Sequence, residues 1–477
     1  MSTLTIAWIA LPFFAGFLIY LIPQLARSLA LGIALISAGY SIYLFVEGAP
    51  LTVELLDHFG ITLIADELSS FFILTNAIVS AAVILYCWPS DKTSFFYTQI
   101  LILHGSINSA FICADFMSVY VALEVIGVAT FLLIAYSRSA HSIWVGLRYL
   151  FVSNTAMLFY LVGTILVYQA NHSFAFAGLL NAPPEAIALI FLGLLSKGGI
   201  FLSGLWLPLT HSESETPVSA LMSGVVVKAA VFPLVRCAVM LEEVDPIVRV
   251  FGVGTAFLGV TYAILEKDSK RMLAFHTISQ LGFVLAAPVV GGFYALTHGL
   301  VKSTLFLLSG ALPSRNFKEL KHQPINTTLW IPLVIASLSI SGFPLLSGFG
   351  AKTLTLKSLL PWQVIPMNIA SVGTAISFSK FIFVPHQRDG LDKIKSGFWQ
   401  AIALLIGALI GGNVIYYKAY TIVNIIKALI TIGLGWLAYF FWVQHSTVKL
   451  PRTLEKFDHL IGMMSVMLIA LFWMVFV

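Results

Sequence analysis

Six lysines lie inside apolar stretches long enough to cross a lipid bilayer: Lys197, Lys228, Lys302, Lys352, Lys380 and Lys427. Glu124 is the carboxylate at comparable depth in these stretches. A charged side chain at the bilayer centre costs roughly 2.5–3.5 kcal/mol on the most lenient scale, so such residues normally face a protein interior or a wet pathway. Their types and depth therefore predict transport of protons or cations.

Lysine, and not arginine, occupies all six positions. Burial disfavours the charged form of an amine, so a buried lysine can exchange its proton near neutral pH. Arginine stays charged in proteins and cannot act in this way. The set therefore favours a proton relay over a charge clamp. Lys427 has no distinctive neighbours and is interpreted as a helix-interface residue.

Glu124 has apolar neighbours and no charged partner within one helical turn. An ionised carboxylate in such a site needs a cation from another helix, and one of the lysines would supply it. A carboxylate whose charge depends on its partner can serve as a coupling element. A purely structural ion pair is the alternative interpretation.

The composition predicts an all-α polytopic membrane protein. Of 477 residues, 59% are hydrophobic and 10% are charged, against about 25% charged in ordinary soluble domains. Apolar stretches of about 20 residues can each span the hydrocarbon layer, and their backbones must then be helical. We predict about 14–16 transmembrane helices, from candidate spans near residues 4–22, 28–46, 69–88, 96–113, 115–136, 149–169, 185–205, 217–241, 247–264, 272–288, 291–313, 328–356, 365–384, 397–417, 420–443 and 459–477.

The positive-inside rule predicts an N-terminus on the outside, because sixteen loop lysines and arginines then lie inside and two outside. The loop at 47–67 carries five carboxylates and no base, which suits the outer side. The first span lacks a basic leader and a cleavage site and is expected to be retained. The net charge of +5 follows from this asymmetry and predicts a lipid bilayer but no nucleic acid as partner.

The charged positions repeat along the chain. Lys197 and Lys228 are 31 residues apart, and Lys352 and Lys380 are 28 apart. Two blocks of five helices would place the pairs equivalently, and an odd number of helices per block inverts the second copy, as in many transporters. We therefore predict N-terminal helices at 1–95, two inverted five-helix repeats at 96–241 and 247–384, and C-terminal helices at 397–477.

Both repeats are predicted to contain a broken helix. Gly198 and Gly199 follow Lys197, and Pro208 lies further along; residues 342–350 before Lys352 contain three glycines and a proline. Backbone groups released at membrane depth are tolerated where protein or water satisfies them. Each lysine is therefore expected at a discontinuity that lines a hydrated cavity. Glycine packing beside a snorkelling lysine is the alternative.

Histidines accompany the lysines. His298 and Lys302 are four residues apart and share a helix face, and His276 occupies the position of the second repeat that roughly matches Glu124. His211 precedes Glu213 and Glu215 in a predicted inner loop; this trio could bind a metal, but a solvated funnel is the preferred interpretation.

Cofactor motifs are missing from the sequence. The three cysteines lack metal-ligand spacing and are expected to be packing residues. We find no dinucleotide fingerprint, P-loop or haem-attachment motif, so neither a metal nor a cofactor is expected.

The ordered motifs of residues 60–385 resemble the antiporter-like subunits of complex I and of Mrp-type multisubunit sodium/proton antiporters. The first repeat carries Leu-Leu-Ser-Lys-Gly-Gly at 194–199, Trp-Leu-Pro at 206–208, and Pro-Val-Ser-Ala-Leu at 217–221 before Lys228. Further matching stretches lie at 267–274, 276–282, 298–302, 305–307, 342–344 and 348–352. A histidine common in complex I pumps is absent from 221–224, so the chain looks closer to the D-type subunit of the Mrp antiporters.

The resemblance implies roles for the charged residues. Glu124 and Lys197 would form the coupling pair, Lys228, His298 and Lys302 the central relay, and Lys352 the terminal exchange site. From their positions in the second repeat, His276 and Lys380 are expected to lie on the same pathway. The resemblance implies no role for the last two helices.

The implied function is that of a proton-translocating subunit of a multisubunit sodium/proton antiporter, a secondary transporter and not an enzyme. Such subunits work with other membrane subunits, in a bacterial plasma membrane or a thylakoid. The alternative is the equivalent pump subunit of a complex I-like oxidoreductase or membrane hydrogenase, in which redox energy drives the relay. A passive membrane scaffold would tolerate replacement of the lysines.

Overall fold

The computed structural model describes residues 2–55, 61–388, 396–446, 448 and 450–476. Four charged residues used in the topology argument, Asp57, Lys393, Lys395 and Lys449, lie outside the described residues.

Polar side chains set the starts of many helices. Asp66, Asp115, Ser139 and Asp268 each accept a hydrogen bond from the backbone N–H three residues later, which satisfies one of the free donors of the first turn. The long apolar runs that follow fix the helical lengths. The N-terminal part contains α1 (Ser2–Leu21), α2 (Ala26–Glu47), α3 (Glu67–Cys87), α4 (Ser94–Ala110), α5 (Phe116–Ile134) and α6 (Ala140–Asn171).

The middle of the chain holds the interrupted helices. Its α-helices are α7 (Pro184–Lys197), α8 (Leu207–Glu213), α9 (Thr216–Leu221), α10 (Val227–Met240), α11 (Asp245–Leu265), α12 (Ser269–Ala286), α13 (Gly291–Ser309), α14 (Phe317–Leu320), α15 (Thr327–Ser341), α16 (Ser347–Lys357) and α17 (Pro361–Ile382). A 3-10 segment, Phe201–Trp206, separates α7 from α8, and a π-helical segment, Met222–Val226, joins α9 to α10.

The C-terminal part contains α18 (Ser396–Ile415), α19 (Ile422–Phe441) and α20 (Phe457–Phe476). Strands are minor: β1 (Leu51–Leu55) pairs antiparallel with β2 (Ile61–Ala65), and the two-residue β3 (Ile325–Asn326) and β4 (His386–Gln387) pair in parallel.

The predicted all-α polytopic fold with broken helices is confirmed, and a helix lies in each of the sixteen predicted stretches. Within the described residues, however, eleven helices are long and apolar enough to span a membrane, or twelve if α12 and the bent continuation into α13 count as one. The predicted number of about 14–16 transmembrane helices is therefore higher than the number that helix length and hydropathy support. The reason is physical: α4, α15 and α16 have 17, 15 and 11 residues, and polar side chains line α12 and α17.

The most buried helices lie at the centre of the bundle. Every residue of α12 and of α13 is buried, and so is nearly all of α10. By contrast, less than half of the apolar segment is buried in each of five outer helices: α1, α2, α18, α19 and α20. These three helices carry four of the eight predicted site residues, which therefore lie among protein and not at the outer surface of the bundle: Lys228, His276, His298 and Lys302.

The C-terminal segment crosses back over the bundle. Helix α19 packs on α17, whereas α20 packs against α7 and the Phe201–Trp206 segment. The connecting stretch is anchored at Glu455, whose carboxylate accepts a hydrogen bond from Arg271 and whose backbone oxygen accepts one from Arg148. Further along, the Ser203 N–H points to the Met467 sulfur at 3.3 Å. The last helix is therefore fixed against the first broken helix.

Candidate functional site

The first charged pair lies at the break after α7. Lys197 is the last residue of that helix, and Gly199 follows with a φ of +72°, in the left-handed region that favours glycine. The Lys197 ammonium lies 3.9 Å from Oε1 of Glu124 in the middle of α5. The negative end of a helix favours a cation, so the break helps to hold the lysine opposite the carboxylate.

Small and hydroxyl residues surround this pair. A Cβ placed on Gly127, one turn after Glu124, would lie 2.8 Å from the Lys197 ammonium. Ser153 and Ser196 have buried hydroxyls with no hydrogen-bond partner among the described residues, and the same holds for the Lys197 ammonium. Buried polar groups are normally hydrogen-bonded to protein or to ordered water. This cluster therefore has the polarity that hydration requires.

Lys228 follows the π-helical segment. The wider turn frees backbone carbonyls, and the Lys228 ammonium donates to the oxygens of Ser223 at 3.0 Å and Gly224 at 2.7 Å. π-Bulges are frequent at functional sites. Close packing of Gly299 on α13 supports this geometry, because a Cβ there would lie 2.9 Å from the Gly224 oxygen.

His298, Lys302 and His276 form a buried group between α12 and α13. The Lys302 ammonium donates to the backbone oxygen of Leu273. Both ring nitrogens of His298 and of His276 are buried and lack a hydrogen-bond partner among the described residues. The rings are therefore free to accept or donate a proton through water or through a rotated neighbour.

Through-space charge interactions, and not direct contacts, connect these groups in a row. The His298 ring interacts with the charges of Lys228, Lys302 and His276, and the His276 ring interacts with those of Lys302, Lys352 and Lys380. The structure thus brings together six of the eight predicted site residues. Lys197 and Glu124 interact with each other and form a separate group in this conformation.

The second predicted break is also confirmed. Helix α15 ends at Ser341, Gly342 follows with a φ of +87°, and α16 begins at Ser347. Lys352 points back to this break, and its ammonium lies 3.4 Å from the backbone oxygens of Ile340 and Ser341. Both break lysines therefore lie at the carboxyl end of a half-helix.

Lys380 has a different environment from the other lysines. Its ammonium donates to three backbone oxygens, those of Ala263, Ile264 and Glu266, at 3.1, 2.7 and 2.8 Å. These carbonyls belong to the end of α11, where the helix leaves acceptors without intrahelical partners. An ammonium has three donors, so Lys380 is saturated in the manner of a helix cap.

His211 departs from its sequence interpretation. It does not lie in a loop but in α8, fully buried, with its ring stacked on Phe306 at 4.7 Å. Glu213 pairs with His141 and Glu215 with Lys92, so the three residues do not converge. Because α8 is buried, the His211 ring points into the protein, whereas the carboxylates of Glu213 and Glu215 pair with His141 and Lys92. Among the described residues, no group of three potential metal ligands lies together.

Lys427 was predicted to be a helix-interface residue. It is exposed on α19 and lines a cavity that it shares with Lys352. No local pattern indicates this arrangement, because the two lysines are on helices that are distant in the chain.

Some site residues were missed by sequence reasoning. Gly127 lies three positions after Glu124 and shares its helix face, a spacing that could have identified it. Ser153 on α6 belongs to the same cluster around Glu124 and Lys197, but no local sequence pattern predicts this, because α6 is a different helix.

A second buried ion pair holds α3 against α10 near the predicted outer end. Arg236 donates to both carboxylate oxygens of Asp66 and to the Ser69 hydroxyl. Burial alone would raise the pKa of Asp66, but the hydrogen bonds and charge of Arg236 lower it below its usual value. This pair is structural and lies outside the lysine row.

The sequence matches a known protein family. Residues 113–377 match the family model for the membrane part of NADH:quinone oxidoreductase and Mrp antiporter subunits. That match covers more than half of the chain. The chain belongs to this family.

Individual relatives fall on both sides of the family. The chain is 26% identical over 423 residues to the D-type subunit of the Na(+)/H(+) antiporter of Alkalihalophilus pseudofirmus, a match that covers 80% of this chain and 85% of the relative. It is 28% identical over 362 residues to the N-type subunit of the NADH-quinone oxidoreductase of Desulforudis audaxviator, covering 68% and 72%.

Solved structures share the fold. A chain of the membrane-bound sulfane sulfur reductase, an archaeal respiratory membrane complex, superposes with a TM-score of 0.78 at 21% identity, covering 91% of this chain and 99% of that one. A chain of the Mrp complex from Dietzia sp. DQ12-45-1b gives the same TM-score at 19% identity, covering 97% of this chain and 59% of that one. Both of these solved chains come from complexes.

Proposed function

We propose that this chain is a proton-translocating subunit of a multisubunit sodium/proton antiporter. Its neighbours in the assembly are other membrane subunits, and its N-terminus lies outside a bacterial plasma or thylakoid membrane. Two inverted repeats, 96–241 and 247–384, each contribute one broken helix to the pathway. The similarity to the D-type subunit of a Na(+)/H(+) antiporter supports the choice of sodium as the exchanged ion.

The observation that carries this proposal is the row of buried groups from Lys228 through His298 and Lys302 to His276 and Lys352. A series of exchangeable groups can pass protons when water connects them. Electrostatic coupling makes the proton affinity of each group depend on the charge of the next. A proton arriving at one end therefore favours release at the other.

The Glu124–Lys197 pair serves as the coupling element in this proposal. At 3.9 Å the two charges are in electrostatic contact without a hydrogen bond, so the pair can open without breaking a strong bond. When it opens, Lys197 is free to turn toward the Lys228 row, and Glu124 is free to accept a proton. Motion at the Gly198–Gly199 break allows this change.

The test is sodium-dependent pH exchange in vesicles that contain the whole assembly. Glu124→Gln and Lys197→Met are each expected to reduce exchange to background while the assembly remains intact, and exposed Lys418→Gln is the matched control with normal exchange. Assembly is checked first, because removal of one buried charge leaves the other uncompensated. Normal exchange in either assembled variant contradicts the coupling role.

A second function is supported by the similarity to the N-type subunit of NADH-quinone oxidoreductase. In that case the same row is driven by electron transfer in partner subunits. Purification of the native assembly distinguishes the two. Co-purifying iron–sulfur subunits with quinone reductase activity support the second function, and sodium-stimulated exchange without such subunits supports the first.

A further inference from the structure

A cavity of about 390 Å³ lies between α16, α17 and α19. Lys352 lies at its buried end, and Lys357 and Lys427 lie on its exposed side. No carboxylate is among the described residues that line it. The cavity is therefore distinct from the Glu124–Lys197 cluster, in which a lysine faces an acid.

Three amines around one cavity repel one another, and Lys352 at its buried end is costly to keep charged without a counter-ion. The structure offers Lys352 only two long contacts to carbonyls, and the described lining residues offer it no acid. A bound anion would supply the missing charge. The position and the walls of the cavity indicate which kind of anion would bind there.

The cavity opens near the end of the bundle where headgroups are expected. Lys357 is the last residue of α16, and Lys427 is the sixth residue of α19, which places it roughly 8 Å along that helix. Trp362 and Tyr417 are 48% and 68% exposed near the same helix ends. Exposed aromatic residues of this kind typically mark the interface between hydrocarbon and headgroups.

The wall of the cavity is apolar on the side that faces out of the bundle. Val364 on α17 and Ile430 on α19 are 40% and 55% exposed and line it. A free inorganic anion gains nothing from such a wall. A phospholipid would place its phosphate beside the lysines and an acyl chain along these side chains.

We propose that this cavity binds the phosphate-bearing headgroup of an anionic phospholipid, with Lys357 and Lys427 as the phosphate ligands and Val364 and Ile430 as contacts for an acyl chain. The bound lipid closes the lateral opening next to Lys352 and supplies the counter-charge that the lining lacks. The site adjoins the proposed proton pathway at Lys352, but its phosphate ligands, Lys357 and Lys427, are not part of that pathway.

The test uses the purified, delipidated assembly and measures binding of phosphatidylglycerol, phosphatidylcholine and inorganic phosphate. Lys357→Gln combined with Lys427→Gln is expected to weaken phosphatidylglycerol binding at this site about tenfold, since basic residues near a membrane surface attract anionic lipid. Lys418→Gln, an exposed lysine near the same end that does not line the cavity, is the matched control and should bind as the unmodified chain does.

Two results would overturn the proposal: equal binding by the double variant, or equal binding of phosphatidylcholine. Displacement of phosphatidylglycerol by millimolar inorganic phosphate would also overturn it, by showing a site for a free anion. If the double variant does not assemble, photolabelling of the unmodified chain tests the proposal instead. Phosphatidylglycerol with a photoreactive acyl chain should label peptides that contain Val364 or Ile430, and labelling confined to other helices refutes the assignment.

Discussion

The ammonium of Lys197 lies 3.9 Å from the Oε1 oxygen of Glu124, beyond the 2.7–2.9 Å of a charge-assisted hydrogen bond. The two residues come from different helices, and one of those helices ends at the lysine. The contact is therefore electrostatic and can be broken and remade by a small movement at the break.

Gly127→Ala should impair transport without removing any charge. The added methyl group would lie 2.8 Å from the Lys197 ammonium, so the lysine must move away from its place opposite Glu124. We expect at least a tenfold lower rate of pH exchange, because small misplacements of reacting groups cost about that much or more. Gly39→Ala, at a helical glycine with open space around it, is the control. An unchanged rate for assembled Gly127→Ala would show that the spacing of the pair does not matter.

Arginine substitutions should separate relay lysines from capping lysines. Arginine keeps the charge but cannot release its proton, so Lys302→Arg is expected to abolish exchange. Lys380→Arg should keep most of it, because Lys380 donates to three carbonyls at the end of α11 and needs only its charge and donors. Loss of exchange in assembled Lys380→Arg would place that residue in the relay after all.

The Asp66–Arg236 pair should make stability depend on pH. The folded pKa of Asp66 is lowered, so its contribution is fully present above the unfolded value of about 4 and is lost as the pH falls through the lower folded value. Asp66→Asn should cost about 3 kcal/mol at pH 7, since it leaves Arg236 buried without its partner.

Thermal unfolding in detergent at pH 7 and pH 3 measures this effect. The difference in stability between the unmodified chain and Asp66→Asn is expected to narrow at the lower pH. Asp91→Asn, at an exposed position, should show no such difference. If this difference in stability were the same at both pH values, the charge of Asp66 could not be its cause.

The anchor of the C-terminal segment should be sensitive to Glu455. Arg271 contacts both Glu266 and Glu455, so Glu455→Gln removes one of two charged partners and should cost about 1–3 kcal/mol of local stability. Hydrogen exchange of α20 is expected to accelerate, with exposed Glu243→Gln as the control. Unchanged exchange in α20 would mean that its apolar packing against α7 is sufficient.

Several features of the site were predictable because they are local. Glycine and proline beside Lys197 and Lys352 predicted two breaks, and both exist, because these residues readily interrupt helices. The four-residue spacing of His298 and Lys302 placed them on one face of a single helix, and α13 carries both.

Other features depended on contacts between distant parts of the chain. The sequence analysis placed His211 in a loop, but α8 is buried and stacks the ring on Phe306 of α13. Lys380 was grouped with the relay, yet it meets three carbonyls at the end of α11 that no local pattern connects to it. Lys427 was treated as an interface residue, and only the position of α19 places it beside the Lys352 cavity.

The amino-acid sequence alone determined that the chain is a helical membrane protein with buried amines and two interrupted helices, because hydropathy, charge depth and glycine or proline breaks act within a few turns of helix. Tertiary structure decided which amines face an acid, which face histidines, and which meet only carbonyls or a basic cavity. Those outcomes depend on how helices far apart in the chain pack together, since the protonation and the role of a buried charge are set by what surrounds it in space.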